Sequence, residues 1–373
     1  MLTTAMNINY AQMKYLGFLA LLALAACSTT TATESDSTPK SNRPLAKFEP
    51  ADGKVLLFAG QELESIGGLE APYNDGYLDH FPKPAGWTAY SNLSPGDTSF
   101  GFIQKGLDGM FSSDDWGDSP SNMTLQVNDA DFDGLALAIG LSLVNHEGAV
   151  ANGERDSLIQ VMGEFFQSLG GRPVFLRIGY EFDGASWNNY DREDFVAAFR
   201  HIKTKLDAMG VDNVAYTWQS TGWVSNLDQL EGWYPGDEYV DWCAYSFFSR
   251  WDEAKMIDFA RDHGKPVLIA EATPTVSDYT AKFNGQTKPM VLGNPAEAQL
   301  AWNKWFEPFL KTIHENPDVV KGISYINCNW RSHPMWEENP TFQLVDARIQ
   351  TSPLIKEKWL EEVTSDRYVK LEW

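Results

Sequence analysis

The chain has 373 residues, enough for one large domain, and 43% of them are hydrophobic, so a sizeable core can be built. A formal net charge of −22 excludes a broad nucleic-acid or polyanion-binding face, which needs clustered Lys and Arg. Aromatic residues reach 13%, with 14 Trp, and serve either a large core or a sugar-binding cleft, where an indole face packs on a pyranose.

In chain order, residues 1–27 read as an export signal: Lys14 supplies the charge, Leu16 to Ala26 the apolar stretch, and Leu24-Ala25-Ala26-Cys27 resembles a bacterial lipobox. Lipidation of Cys27 is expected, with membrane contact through that anchor alone. Ser28, where Asp would retain a lipoprotein at the inner membrane, points to an exported outer-membrane lipoprotein. Residues 28–48, rich in Ser, Thr and Pro, read as a disordered tether. Residues 49–373 then read as a single monomeric α/β domain, a (β/α)8 TIM barrel. Its strand candidates are Val55–Gly60, Gly86–Asn92, Leu135–Leu143, Val174–Gly179, Val214–Trp218, Val240–Tyr245, Val267–Ala270 and Gly322–Asn327. Helical periods fall at Asp156–Leu169, Arg192–Met209 behind an Asp191 cap, Asp252–His263 and Pro295–Glu315. Cys243 and Cys328 fall on non-adjacent strands and are expected as two buried thiols.

Barrel chemistry sits where strands end. Glu181 follows the fourth strand in Arg177-Ile-Gly-Tyr-Glu-Phe-Asp-Gly184, and Glu271 ends the seventh in Lys265-Pro-Val-Leu-Ile-Ala-Glu271. Each acid follows an apolar run, where a charge is costly unless paired or used. Either alone reads equally as a rim ion pair; two, after strands four and seven, point to paired-carboxylate chemistry. Six His without a His-x-His pair, and no Gly-x-Ser-x-Gly elbow, leave no metal, cofactor or serine-hydrolase site to expect.

This pattern resembles the retaining glycosidases whose catalytic Glu residues lie on strands four and seven, and within them glycoside hydrolase family 26, the family of β-mannanases, lichenases and β-1,3-xylanases. That family carries Arg-x-x-His-Glu-x-Asn-Gly at the end of strand four; Arg177, Glu181 and Gly184 match, Asp183 stands for Asn and Tyr180 replaces the His. The resemblance implies Glu181 as acid/base, Glu271 as nucleophile and double displacement on a β-linked polysaccharide: mannan, β-1,3-xylan, β-glucan or a marine algal polymer. Glu181 is then expected to hold its proton at neutral pH while Glu271 is ionised. Arg177 is expected to support Glu271 by charge. The resemblance also implies Tyr245 as a donor to the nucleophile and Trp330 as the floor under the sugar. Tyr180 and Asp183 come with the motif as substrate contacts; Trp187, Trp218, Gln219, Gln61 and His146 stand at other strand ends as further candidates. Arg331 and His333 are the local positive charge for a sulfated or carboxylated substrate. Endo action fits a tethered enzyme facing polymer chains; the alternative is a non-catalytic surface glycan-binding lipoprotein on the same barrel.

Overall fold

The computed structural model describes residues 43–224, 227–248, 254–275 and 289–373; Cys27 and the export signal lie outside them. Eight parallel strands form the barrel: β1 (Val55–Gly60), β2 (Gly86–Asn92), β3 (Ala136–Ser142), β4 (Val174–Ile178), β5 (Val214–Ser220), β6 (Trp242–Phe247), β7 (Val267–Ala272) and β8 (Val320–Ile326). Each pairs with its sequence neighbour, and β8 returns to pair with β1 from Leu56–Gly322 to Gly60–Ile326, closing the sheet. The first two strands have the bounds expected from sequence; the rest shift by a few residues at their ends. A short strand, Tyr368–Val369, adds to the start of β1.

Alternate residues face the lumen. Its lower layers are apolar: Leu56, Phe58, Ala136, Ala138, Phe175, Ala215, Trp242, Ala244, Leu268 and Ala270 pack together, with Phe175 edge-on to both Phe58 and Trp242. The chain entering the domain plugs this end: Phe48 packs on Phe175, and the Trp242 indole N–H donates to the Lys47 carbonyl at 2.8 Å. The other side of each strand packs against the helices in one continuous core. Filling the lower lumen with rings and methyls leaves only the C-terminal rim for polar side chains.

One irregularity there decides a side-chain direction. Along β6 and β7, Tyr245 pairs with Ile269 but Ser246 with Glu271, and along β7 and β8, Ile323 pairs with Ile269 but Tyr325 with Ala272. β7 therefore holds one extra residue at Ala270–Glu271, a β-bulge, which re-aims the side chains beyond it. Ile269 and Ala272 face the helices, while Ala270 packs in the lumen and Glu271 meets the lumen-facing Arg177.

The helices Asp156–Ser168 and Arg192–Ala208 lie where expected, and the Asp191 carboxylate caps the second by accepting from Glu193 N and Asp194 N. Pro295–Glu315 is an α-helix to Ala301, a wider π-turn over Trp302–Phe306, then an α-helix from Glu307. Pro308 has no N–H for the carbonyl four residues back, and the wider turn precedes it. Cys243 and Cys328 are buried and free, as expected.

Candidate active site

Four lumen-facing side chains on consecutive strands make a continuous polar chain: Arg177 on β4, Gln219 on β5, Ser246 on β6 and Glu271 on β7. Arg177 is fully buried, and its Nη1 donates to Glu271 Oε1 at 2.7 Å and to Gln219 Oε1 at 2.9 Å. Gln219 Nε2 donates to the same Glu271 oxygen at 3.2 Å and to Ser246 Oγ at 3.1 Å. A guanidinium and an amide thus hold one carboxylate oxygen, a charge-assisted arrangement that orients the group and offsets its burial.

Glu181 reaches this chain from a left-handed turn after β4, with φ of +54° at Gly179 and +53° at Glu181. A Cβ at Gly179 would meet Phe195 Cε2 at 2.6 Å, so the turn admits only glycine there. At Glu181 the same geometry falls on a side chain that disfavours it, a cost met at functional sites. The backbone is pinned: Asn188 Nδ2 donates to the carbonyls of Tyr180 and Glu181, and Phe182 N donates to Gln219 O. Glu181 is 7% exposed, and its carboxyl accepts from Trp187 Nε1 at 2.7 Å and is hydrogen-bonded by Ser246. Burial pushes its pKa up to about 8, with the charge of Glu271 adding to the rise and the bonds from Ser246 and Trp187 opposing it. At neutral pH the pair therefore has a proton on Glu181, as general-acid work requires.

Tyr180, in the place of the family His, sets its ring 5.6 Å from the Arg177 guanidinium, and Tyr90 on β2 sets its own at 4.9 Å; the two rings meet edge to face at 5.2 Å. Gly140, between them on β3, makes this possible, since a Cβ would lie 2.5 Å from Tyr90 Cδ1 and 2.8 Å from Arg177 Nη2. Neither Tyr90 nor Ser246 stood out in the sequence. The available signal was pleat alternation: Ser246 and Tyr90 share the parity of lumen residues on their strands.

Several expectations are corrected. Tyr245 belongs to the helix-facing core, because alternation turns Ser246 and not Tyr245 inward. Trp218 is fully buried on that same outer face, stacked on Phe182 at 4.4 Å with its N–H on the Trp233 carbonyl, so it is no subsite wall. Trp330 is 1% exposed, enclosed by Trp336 and Phe342, and offers no open floor to a sugar. Asp183 commits both oxygens to the next loop, accepting from Ser220 Oγ and Thr221 N at 2.7 Å each; it ties the loops after β4 and β5 together instead of binding substrate. Gln61 donates to Asp118 at 2.6 Å, and His146 faces Asp97 and Arg155. Arg331 is exposed, but His333 is buried beside Asp118 and Glu62, away from any open surface where an anionic substrate could reach it.

Among the described residues, one group has metal-binding donors in reach of each other: Glu62, Cys328 and His333, within 4.8 Å. Both Glu62 oxygens already accept from Ser65 or Gln61, and burial, reinforced by Asp118, raises the carboxyl pKa to about 8. Burial also pushes the Cys328 thiol far up. Glu62, with Cys328 bonded to it, makes a hydrogen-bonded anchor beside the ends of β1 and β8.

No family model matches the chain. It is 32% identical over 340 residues to a β-1,3-xylanase of a Vibrio species, covering 87% of this chain and 67% of that protein. A β-1,3-xylanase of an Alcaligenes species is 31% identical over 345 residues, covering 87% and 66%. The chain thus spans about two thirds of the length of these relatives. A family 26 β-mannanase from Bacteroides ovatus shares the fold, with a TM-score of 0.53 at 14% identity over 85% of this chain and 90% of its own.

Proposed function

The chain belongs to the family of the β-1,3-xylanases, glycoside hydrolase family 26, and from that premise we propose that it is a retaining endo-glycosidase acting on β-1,3-linked xylan. The observation that carries the reading is the asymmetric pair: Glu271 held by Arg177 and Gln219, and Glu181 buried beside it with its pKa raised to about 8. A proton-holding acid beside a carboxyl oriented by a guanidinium and an amide is what double displacement needs.

Glu271 attacks the anomeric carbon while Glu181 passes its proton to the leaving oxygen. The bond to the leaving sugar breaks and a glycosyl ester on Glu271 forms. Esterification removes the negative charge that helped raise the Glu181 pKa, so Glu181 stays ionised and free to take a proton from the incoming water, whose oxygen bonds to the anomeric carbon as the ester breaks and Glu271 leaves as a carboxylate. Arg177 and Gln219 keep the carboxylate oriented through both steps. The substrate rests on the relatives alone, since the pair acts on any β-glycoside.

Reducing-sugar release from β-1,3-xylan, mannan, mixed-linkage glucan and sulfated algal polysaccharides tests the proposal. Release of β-1,3-xylooligosaccharides of mixed length is expected; tight binding without release from any polymer would favour a glycan-binding protein. Lipidation of Cys27, which would hold the enzyme at the outer membrane, is part of the proposal. Metabolic labelling with palmitate tests it, with loss of label in Cys27→Ala expected.

A further inference from the structure

Resting on that reading, we propose that Trp223 is a sugar platform on the leaving-group side of the cleavage point, beyond Trp187, and that it selects for long chains. Large hydrophobic side chains exposed to solvent are uncommon enough in groups to ask for a ligand. Among the described residues they fall largely in two places: Phe100, Ile103, Phe111 and Leu125 on the long excursion after β2, and Trp187, Trp223 and Leu227 on the loops after β4 and β5. Trp187 is 55% exposed and Trp223 is 67% exposed, whereas Trp218 and Trp330 are buried.

Chemistry tells the side. Glu181 protonates the oxygen that departs, so groups that touch Glu181 from the open side flank the departing sugar. Trp187 does so with its indole N–H at 2.7 Å. Trp223 is on the adjoining loop, and the two loops are fastened to one another: Asp183, two residues after Glu181, accepts from Ser220 Oγ and Thr221 N, and Trp223 N donates to Thr221 Oγ1 at 3.2 Å. Gly222, at φ +81°, would place a Cβ 2.8 Å from the Ser246 carbonyl, so this turn passes close over the rim that carries Ser246. An indole presented from a fastened loop, one loop outward from the acid, suits the apolar face of a sugar further along the departing chain. The occupant is therefore the reducing-end portion of a β-1,3-xylan chain, not a second protein.

The test compares Trp223→Ala with wild type on β-1,3-xylopentaose and on an aryl β-1,3-xylobioside, which has no sugar on the leaving side. A fall in kcat/KM of roughly 5–20-fold is expected for the pentaose, carried mainly by KM, with a clearly smaller fall for the aryl glycoside. Cleavage of the pentaose should also shift position, and Trp223→Phe should recover most of the loss because it keeps an aromatic face. Equal loss on both substrates, or wild-type kinetics and cleavage pattern on the pentaose, overturns the proposal. Thermal melting of each variant shows whether equal loss is a folding defect; a variant that melts early is replaced by Trp223→Tyr, to which the same two criteria apply with a smaller expected loss. If wild type leaves β-1,3-xylan intact, the substrate assignment fails by itself, and the chain-length comparison is made on the glycan that is cleaved.

Discussion

Trp187→Phe removes one atom group of consequence, the indole N–H, and keeps an aromatic side chain at the rim. That N–H lies 2.7 Å from Glu181 Oε2 and stabilises the ionised carboxylate, opposing the burial that holds the pKa at about 8. Hydrogen bonds to charged groups contribute about 1.5–3 kcal/mol when shielded. Trp187 is 55% exposed, so water replaces part of the bond and about 1 kcal/mol remains. At 1.36 kcal/mol per pKa unit this raises the Glu181 pKa by roughly 0.7. Glycosylation uses the protonated form, so the alkaline limb of kcat/KM should move up by that amount. Deglycosylation uses the ionised form, so the acid limb of kcat on an activated aryl glycoside, where the second step limits, should also move up, with kcat at neutral pH little changed. The assay is a pH series of kcat and kcat/KM on such a substrate. An alkaline limb that stays put, or moves down, would refute the assignment of Glu181 as the group the indole tunes.

Glu181→Gln should abolish turnover on the polysaccharide and yet stabilise the fold at alkaline pH. The folded carboxyl holds its proton up to about pH 8, whereas the unfolded one releases it near 4.5, so folded chains bind more protons in between and stability falls as pH rises through that window. Melting at pH 5 should match wild type, and at pH 8.5 the variant should melt a few degrees higher; equal shifts at both pH values would contradict the linkage. Asp183→Ala leaves Ser220 Oγ and Thr221 N without their acceptor and should cost about 1–3 kcal/mol in urea unfolding, together with a larger loss in kcat/KM than Asp183→Asn, which keeps one acceptor. Gly140→Ala sets a methyl against Tyr90 and the Arg177 guanidinium; overpacking of about 1–3 kcal/mol and a marked fall in kcat are expected, and full activity would show that the ring–guanidinium stack is dispensable.

The strands were legible because parallel strands covered on both faces read as continuous apolar runs between turn residues, and β1 and β2 carry clean Gly and Asn ends. Both carboxylates and Arg177 were legible for the opposite reason: an acid or a guanidinium inside such a run has few structural excuses. What eluded the sequence was direction. Tyr245 and Ser246 are adjacent, and only pleat alternation says which faces inward. The bulge at Ala270–Glu271 breaks that alternation at Glu271 itself, and nothing in Ile-Ala-Glu-Ala marks it. Trp218 and Trp330 show the same limit in aromatics, since an indole at a strand end serves a core as readily as a sugar. Tyr90 was lost within its strand because its importance comes from Arg177 and Gly140, two strands and one strand away. Asp183 was found as part of a motif, but its partners lie on the next loop, which no local pattern reveals.

The central claim is that Glu271 becomes covalently glycosylated while Glu181 handles the proton. Incubation with an activated 2-deoxy-2-fluoro β-1,3-xylobioside, followed by proteolysis and mass spectrometry, measures this directly. The account predicts stoichiometric label on the peptide containing Glu271, at that residue, and slow reactivation as the ester hydrolyses. Label on another residue, or first products released with inverted anomeric configuration and no label at all, would contradict it.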